Sequence, residues 1–527
     1  MLIEEIISTV VGLILIVVVL GVGLGFLSIQ RRVTRTRYFR NLDASRQQVK
    51  ELLDSIYKNP GPVKDAVQAL QVLRSSPQRR ALEEALLRRA QDPVHFPFAR
   101  DIIKELGWIQ KWAHELRSRA PRPKGRIAEM LVELGDDYRR PNLLRRIVLR
   151  LQANFVRRCK ASDKLGQVPS PEGVWAMLVG TSDPHPEVQE ICLRHLGQLA
   201  DPATLPILIE ELIAVVEGRS KQSVRNIKTS LVQFSLEDIG TFTAALQHPN
   251  RRVRFFATDI VREIADRHSA SATLSKNDFS PDIYRLFTEK FHLDESPDVR
   301  ARAAVVISHF HDDLSAALLR KLLEDEAWFV RMHATRAAAH KLYLPLAAEV
   351  VQRLTDQNWL VREAASKALI QMGDLGADFI LEAFIHSQDH YTNEQICEEL
   401  QRSGLLVTML DNIPSMGASA VLRDSALVER SVEDERYTLA LLVVRKMVAT
   451  GKITMLLMLL RGPIRSDIKL LLLRELMGSY TPESLETFEV CAETDPDPNV
   501  RTTALYAFQT ALERATAAAM AAEGAEQ

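Results

Sequence analysis

The sequence predicts an all-α protein, an α-solenoid of antiparallel helix pairs, and three observations predict it. A short motif recurs along the chain, and in its clearest part the copies follow one another at equal steps. Each copy precedes a run rich in Ala or Leu that has apolar residues at helical spacing. No window shows the sustained alternation of apolar and polar residues that a strand and hairpin turn would give. Self-similarity at a fixed period is typical of proteins in which each repeat packs on its neighbours.

The motif is an Asp or His, four further residues and a Val, and Arg follows the Val in five of the six copies. The step from Val299 to Val330 has the same length as the step from Val330 to Val361. That length accommodates two helices of about 12 residues each and two short turns. Between residues 373 and 494 the motif weakens. The sequence therefore predicts regular hairpins on either side of a degenerate stretch.

Three successive repeats each have an arginine at the same position. We expect each to reach a carboxylate in the turn of its neighbour, because a guanidinium pairs with two carboxylate oxygens at once. The predicted ladder consists of Arg300, Arg331, Arg362, Asp325 and Asp356. A row of ligand-binding arginines is the alternative interpretation of the same spacing.

The Pro-x-Val-Arg and Trp-x-Val-Arg turns, with their downstream Ala, resemble HEAT repeats, especially the short variety of about 30 residues known from phycobilin lyases. The resemblance covers residues 180–372, returns at 495–512 and is weak in 373–494. It implies a right-handed superhelix with a concave inner face. Members of that group bind proteins, nucleic acid or pigments, so the resemblance leaves the function open.

Two tryptophans stand two residues before the Val of adjacent repeats. Trp328 and Trp359 are therefore expected near the start of the second helix of each repeat. Tryptophan is common among the residues that dominate protein interfaces, so the pair is a candidate partner contact. The alternative is that each ring closes the apolar seam between two repeats.

The N-terminal part predicts a membrane anchor. Residues 6–28 contain no charge and are long enough to span a hydrocarbon core. Arginines follow at positions Arg31, Arg32, Arg35, Arg37 and Arg40. The positive-inside rule then predicts a single-pass inner-membrane protein with its N-terminus outside and its bulk in the cytoplasm. The four cysteines are far apart, which agrees with a reducing compartment.

Within the predicted span, Gly21 and Gly25 have the spacing that lets two membrane helices approach closely, so a homodimer through this helix is one interpretation. Residues 29–165 hold 31 Lys and Arg against 15 Asp and Glu. Such a segment is attracted to anionic lipid headgroups or to an acidic partner. Residues 166–527 hold 36 Lys and Arg against 51 Asp and Glu, which argues against a nucleic-acid-binding array.

These features predict five segments along the chain. They are an extracytoplasmic N-terminus at 1–5, a transmembrane helix at 6–28, a basic membrane-proximal helical region at 29–165, a repeat solenoid at 166–515 and a frayed or disordered tail at 516–527.

The sequence contains no recognisable catalytic or phosphate-binding motif, and we predict a non-enzyme without metal or cofactor. The stretch from Ser308 to Asp313 has metal-ligand residue types, but a polar helix end explains it.

We therefore expect a membrane-tethered scaffold whose solenoid binds a membrane-associated protein partner. By analogy, it would be an accessory subunit of a membrane complex such as an exopolysaccharide glycosyltransferase. The alternatives are a lyase-like enzyme built from repeats and a nucleic-acid-binding solenoid.

Overall fold

The computed structural model describes residues 30, 32, 33, 36, 39–118, 155–339, 341–411, 432–479 and 481–525. Every regular element among these residues is an α-helix or a short 3-10 helix, so the all-α prediction is confirmed. The chain divides into two compact units, Met1–Ser235 and Leu236–Gln527.

The described α-helices of the first unit are α1 (39–58), α2 (Val63–Leu70), α3 (Ser76–Arg89), α4 (Phe96–Glu105), α5 (Trp108–Arg117), α6 (Phe155–Gln167), α7 (Pro171–Gly180), α8 (Pro186–Leu199), α9 (Leu205–Val216) and α10 (Val224–Leu231). Ser75 begins α3 because its side chain accepts a hydrogen bond from the Gln78 N–H, and the side chain of Gln78 accepts one from the Ser75 N–H. Gly107, with φ of 70°, separates α4 from α5, since this left-handed conformation suits a residue without Cβ.

The described α-helices of the second unit are α11 (Thr243–Leu246), α12 (Arg251–Ser269), α13 (Pro281–Glu289), α14 (Pro297–Ser308), α15 (Asp313–Leu323), α16 (Trp328–Ala337), α17 (Ala347–Gln352), α18 (Trp359–Gln371), α19 (Asp374–His386), α20 (His390–Ser403), α21 (Leu405–Asp411), α22 (Val432–Ala449), α23 (Thr454–Arg461), α24 (Ser466–Leu476), α25 (Pro482–Thr494) and α26 (Pro498–Ala525). The 3-10 helices of the two units are Pro202–Thr204, Leu236–Phe242, Lys276–Asp278, Phe291–Leu293, Lys341–Leu346 and Arg353–Thr355.

Helical hairpins stack in the second unit. The pairs α13/α14, α15/α16, α17/α18 and α19/α20 each pack internally, and the second helices α12, α14, α16, α18 and α20 form one row in which each contacts the next. The valine of each motif and the alanine four residues later are fully buried in three of these helices, at Val299, Ala303, Val330, Ala334, Val361 and Ala365. A small side chain at the second position lets neighbouring helices approach closely, which favours continued stacking.

The structure contradicts the predicted localisation in the inner membrane, because no described helix is both long enough and apolar enough to cross a membrane. The predicted span 6–28 lies outside the described residues, as do Gly21, Gly25, Arg31, Arg35 and Arg37. Arg32 and Arg40 are helical and exposed.

Candidate partner-binding surface

Each repeat turn of the second unit is organised around one aspartate. The carboxylate of Asp356 accepts a hydrogen bond from the backbone N–H of Asn358 at 2.9 Å, and its carbonyl accepts one from Nη1 of Arg362 at 2.8 Å. Asp325 makes the same contacts with the Ala327 N–H at 2.9 Å and with Nη1 of Arg331 at 2.8 Å. These hydrogen bonds lie within one repeat, so each turn is stabilised by contacts of its own.

The remaining edge of the same carboxylate faces the preceding repeat. Nε and Nη2 of Arg331 donate to the two carboxylate oxygens of Asp356 at 2.7 and 2.8 Å. Arg300 contacts Asp325 in the same way at 2.7 and 2.9 Å. One arginine thus holds two turns, because its Nη1 binds the carbonyl of its own turn and its other two nitrogens bind the next carboxylate.

The ladder continues beyond the residues that the repeat spacing indicated. Arg254 donates through Nε and Nη2 to Asp294 at 2.8 and 3.0 Å, although 40 residues separate the two. In the first unit, Arg158 and Asp183 form the same pair at 2.7 and 2.9 Å, and both are buried. The signal that could have found this last pair is its separation of 25 residues, which equals that of Arg300 and Asp325.

Burial and ion pairing shift the pKa of such a carboxylate in opposite directions. Burial by itself raises the pKa of Asp356, but the hydrogen bonds from Arg331 and Asn358 outweigh it and lower the pKa below its ordinary value. The hydrogen bond to Asp356 also raises the pKa of Arg331. Both groups therefore stay charged at neutral pH and stabilise each other.

An aromatic row lies at the turn edge, by which we mean the N-terminal ends of α16, α18 and α20 with the turns before them. Trp328 and Trp359 are the first residues of α16 and α18, and their exposed fractions are 39% and 58%. Tyr391, the second residue of α20, is 64% exposed. The two tryptophan rings are therefore not enclosed between repeats, and they are available to a partner.

The sequence interpretation missed Tyr391. The step that joins Trp328 to Trp359, taken once more along the chain, ends at His390, one position before this tyrosine. The repeat period is therefore the signal that could have found it.

The sequence of residues 285–370 matches the family model described as HEAT repeats. Residues 285–370 are therefore HEAT repeats, as the turn motifs indicated. No curated protein matches it. The matched residues cover the Arg300 and Arg331 rungs of the ladder and both tryptophans.

Several solved structures are similar at low identity. Importin beta shares 12% identity over 91% of this chain and 75% of that chain, with a TM-score of 0.34. Kap95p, studied with RanGDP, shares 14% identity over 87% and 70%, with a TM-score of 0.31. Human deoxyhypusine hydroxylase in complex with glycerol shares 14% identity over 57% and 99%, with a TM-score of 0.22. None of these likenesses bears on what the present chain binds.

A cleft of mixed polar and apolar lining lies near the other ends of the second helices α12, α14, α16 and α18. It is lined by Ser269, Thr273, Ser308, His309, His333 and Arg336, among others. Burial, followed by the charge of Arg302, lowers the pKa of His333 to about 4. Nη1 of Arg302 lies 3.1 Å from Nε2 of His333, so that nitrogen accepts the hydrogen bond and the ring is neutral.

Metal ligation is not supported at this cleft or elsewhere in the described ranges, where no group of three or more His, Cys, Asp or Glu could hold an ion. His309 instead contacts Asp266 at 2.9 Å, and Nδ1 of His311 contacts the carbonyl of Leu274 at 2.6 Å. That the chain is not an enzyme stays a prediction.

Proposed function

We propose that this protein is a scaffold that binds a protein partner along the turn edge of its HEAT repeats. The observation that carries the proposal is the exposure of Trp328, Trp359 and Tyr391 at the N-terminal ends of the second helices of three successive hairpins. Large, rigid aromatic side chains give much contact area at a small loss of conformational entropy, which is why they recur at interfaces.

The ladder supports this role because it holds the aromatic row in place. Each aromatic residue lies two or three positions after a turn residue that hydrogen-bonds within its own repeat, as Asp325 does before Trp328. The pairs Arg300–Asp325 and Arg331–Asp356 connect successive turns, so the spacing of the rings is set before a partner arrives. A preorganised surface loses less entropy on binding than a mobile one.

Charge indicates the kind of partner. The side chain of Glu326 is 88% exposed beside Trp328, and Asp389 is exposed beside Tyr391. Residues 166–527 have an excess of acidic over basic residues, 51 against 36. A partner surface with Lys or Arg next to apolar groups fits this edge, because a cation binds both a carboxylate and the face of an aromatic ring.

The test is the dependence of partner capture on the aromatic row. Proteins retained by the immobilised full-length chain are identified and quantified for the wild type and for Trp328→Ala/Trp359→Ala. Tyr506→Ala is the matched control, because Tyr506 is 61% exposed but lies on α26, away from the turn edge.

We expect the double variant to lose retention of its partner at least about tenfold, since central aromatic residues contribute about 2 kcal/mol or more each. The control variant should retain the partner as the wild type does. The proposal is wrong if the double variant binds equally well, or if both variants lose the partner to the same extent.

A further inference from the structure

One arginine of the ladder, Arg362, has no carboxylate partner among the described residues. Arg362 binds the carbonyls of Asp356 and Gln357 through Nη1 at 2.8 and 3.3 Å, which is how Arg331 binds its own turn. Its Nε, however, is buried and has no hydrogen-bond acceptor among the described residues. No described carboxylate lies within ion-pair distance of this guanidinium, whereas Arg254, Arg300 and Arg331 each have one.

The sequence explains the gap. The partners of Arg300 and Arg331 lie 25 residues downstream, and the same step from Arg362 ends at Ser387. A serine has one uncharged hydroxyl group, so it cannot supply the two charged oxygens that a carboxylate offers to a guanidinium. Its Oγ accepts instead from the N–H of Asp389 at 3.2 Å, so Ser387 retains the turn contact of the repeat but not the interrepeat one.

Hydrogen bonds from Thr392 lower the pKa of Asp389, and Asp389 is near enough for the charge of Arg362 to contribute. No ion pair within 4.0 Å joins the side chains of Arg362 and Asp389, however, so Asp389 does not replace the missing carboxylate. The carboxylate of Asp389 accepts from the N–H and the Oγ of Thr392, both at 2.7 Å, and it caps α20 in that position. A second cation also points at the gap, because Nζ of Lys446 donates to the carbonyl of Ser387 at 2.6 Å. Lys446 therefore brings a positive charge to Ser387, while Nε of Arg362 has no acceptor among the described residues.

We propose that Nε and Nη2 of Arg362 form a binding site for a carboxylate, supplied by an acidic side chain of the partner that docks on the turn edge. The proposal rests on the proposed function for the origin of the carboxylate. The site lies beside one member of the aromatic row, since the centre of the Tyr391 ring is 5.5 Å from the guanidinium carbon of Arg362.

A planar carboxylate is the ligand that the other arginines of the ladder select. In the three filled pairs of the second unit, two carboxylate oxygens accept from Nε and Nη2 at distances of 2.7 to 3.0 Å. A buried N–H without an acceptor is costly, so a ligand that supplies one gains affinity at this position.

The first experiment fills the site from within the chain. Ser387→Asp places a carboxylate at the ladder position, and Ser387→Asn has nearly the same shape without the charge. We expect Ser387→Asp to raise the melting temperature of the second unit by about 3 °C relative to Ser387→Asn. Equal melting temperatures would overturn the assignment of this position as the missing pair.

The second experiment detects a ligand from outside. The Nε–H resonance of Arg362 is identified in the full chain by its absence in Arg362→Gln, and sodium acetate is titrated against sodium chloride at the same ionic strength. We expect a saturable shift with acetate in the wild type and none in Ser387→Asp, where the resonance already lies near that of Arg331. The site is refuted if acetate causes no saturable shift, or if Ser387→Asp responds as the wild type does.

Inorganic phosphate serves as a third titrant, and a response to phosphate without one to acetate would overturn the carboxylate assignment. The acetate result does not depend on any protein partner. Loss of partner capture in the tryptophan variant therefore tests the proposed function, while the Arg362 resonance tests this site, and either can fail alone.

Discussion

Removal of one charge from the Arg331–Asp356 pair tests whether the ladder stabilises the second unit. The perturbations are Arg331→Gln, Asp356→Asn and the double variant. Asparagine at 356 can still accept the hydrogen bond that the Asn358 N–H donates at 2.9 Å, so this substitution removes mainly the charge. The remaining guanidinium would then lie beside an uncharged amide in a site that water hardly reaches.

The expected magnitude follows from burial. The side chains of Arg331 and Asp356 are only 15% and 4% exposed, and two hydrogen bonds join them. Removing one partner of a buried ion pair costs about 3 kcal/mol, because the other charge stays buried without its nearest counter-ion. For Asp356, only the guanidinium of Arg353, at 4.0 Å, remains among the described residues. The double variant should cost about 4 kcal/mol rather than the sum, which gives a coupling of about 2 kcal/mol.

Hydrogen exchange measured by mass spectrometry across a urea series reports on α16 and α18 separately from the first unit. The control is Arg445→Gln, because Arg445 also donates two hydrogen bonds to one carboxylate, Glu475, but its side chain is 52% exposed. It should cost less than about 1 kcal/mol. Equal effects of Arg331→Gln and Arg445→Gln, or strict additivity in the double variant, would refute the reasoning.

Two further predictions concern acid sensitivity and close packing. The pKa of His333 is lowered to about 4 by burial and then by Arg302, whereas an unfolded histidine titrates near 6.5, so the unfolded state binds the proton first. The free energy of unfolding should therefore fall by up to roughly 3 kcal/mol as the pH falls from 6.5 towards 4. His333→Gln should abolish that part of the loss, which urea unfolding at pH 7, 5 and 4 measures. An unchanged pH dependence in this variant would contradict the prediction. A Cβ at Gly197 would lie 2.7 Å from Cα of Ser230, so Gly197→Ala should cost about 2 kcal/mol in urea unfolding. Gly61→Ala, where a Cβ meets nothing within 4 Å, should change stability by less than about 0.5 kcal/mol, and equal effects at the two glycines would count against close packing.

The repeat architecture could be predicted from the sequence because its determinants are local. One helix, α14, contains the proline that begins it and a valine and an alanine four residues apart. The same pattern recurs at a constant step in the following repeats. Helical periodicity and turn residues act within a few residues of one another, so a single sequence displays them.

The localisation could not be predicted in the same way. A run of apolar residues at 6–28 indicates a span by its length alone, whereas the structure contains no described helix that could cross a membrane.

The sequence by itself determined that the chain is helical, that its clearest hairpins recur at a constant step, and which slot of each repeat carries Arg or Trp. Only the tertiary structure decided that Trp328 and Trp359 are exposed, that Arg254 pairs with Asp294, and that Arg362 lacks a carboxylate among the described residues. The physical reason is that a helix and its turn depend on neighbours in sequence, whereas exposure and ion pairing depend on residues that stacking brings together from 25 to 40 positions away.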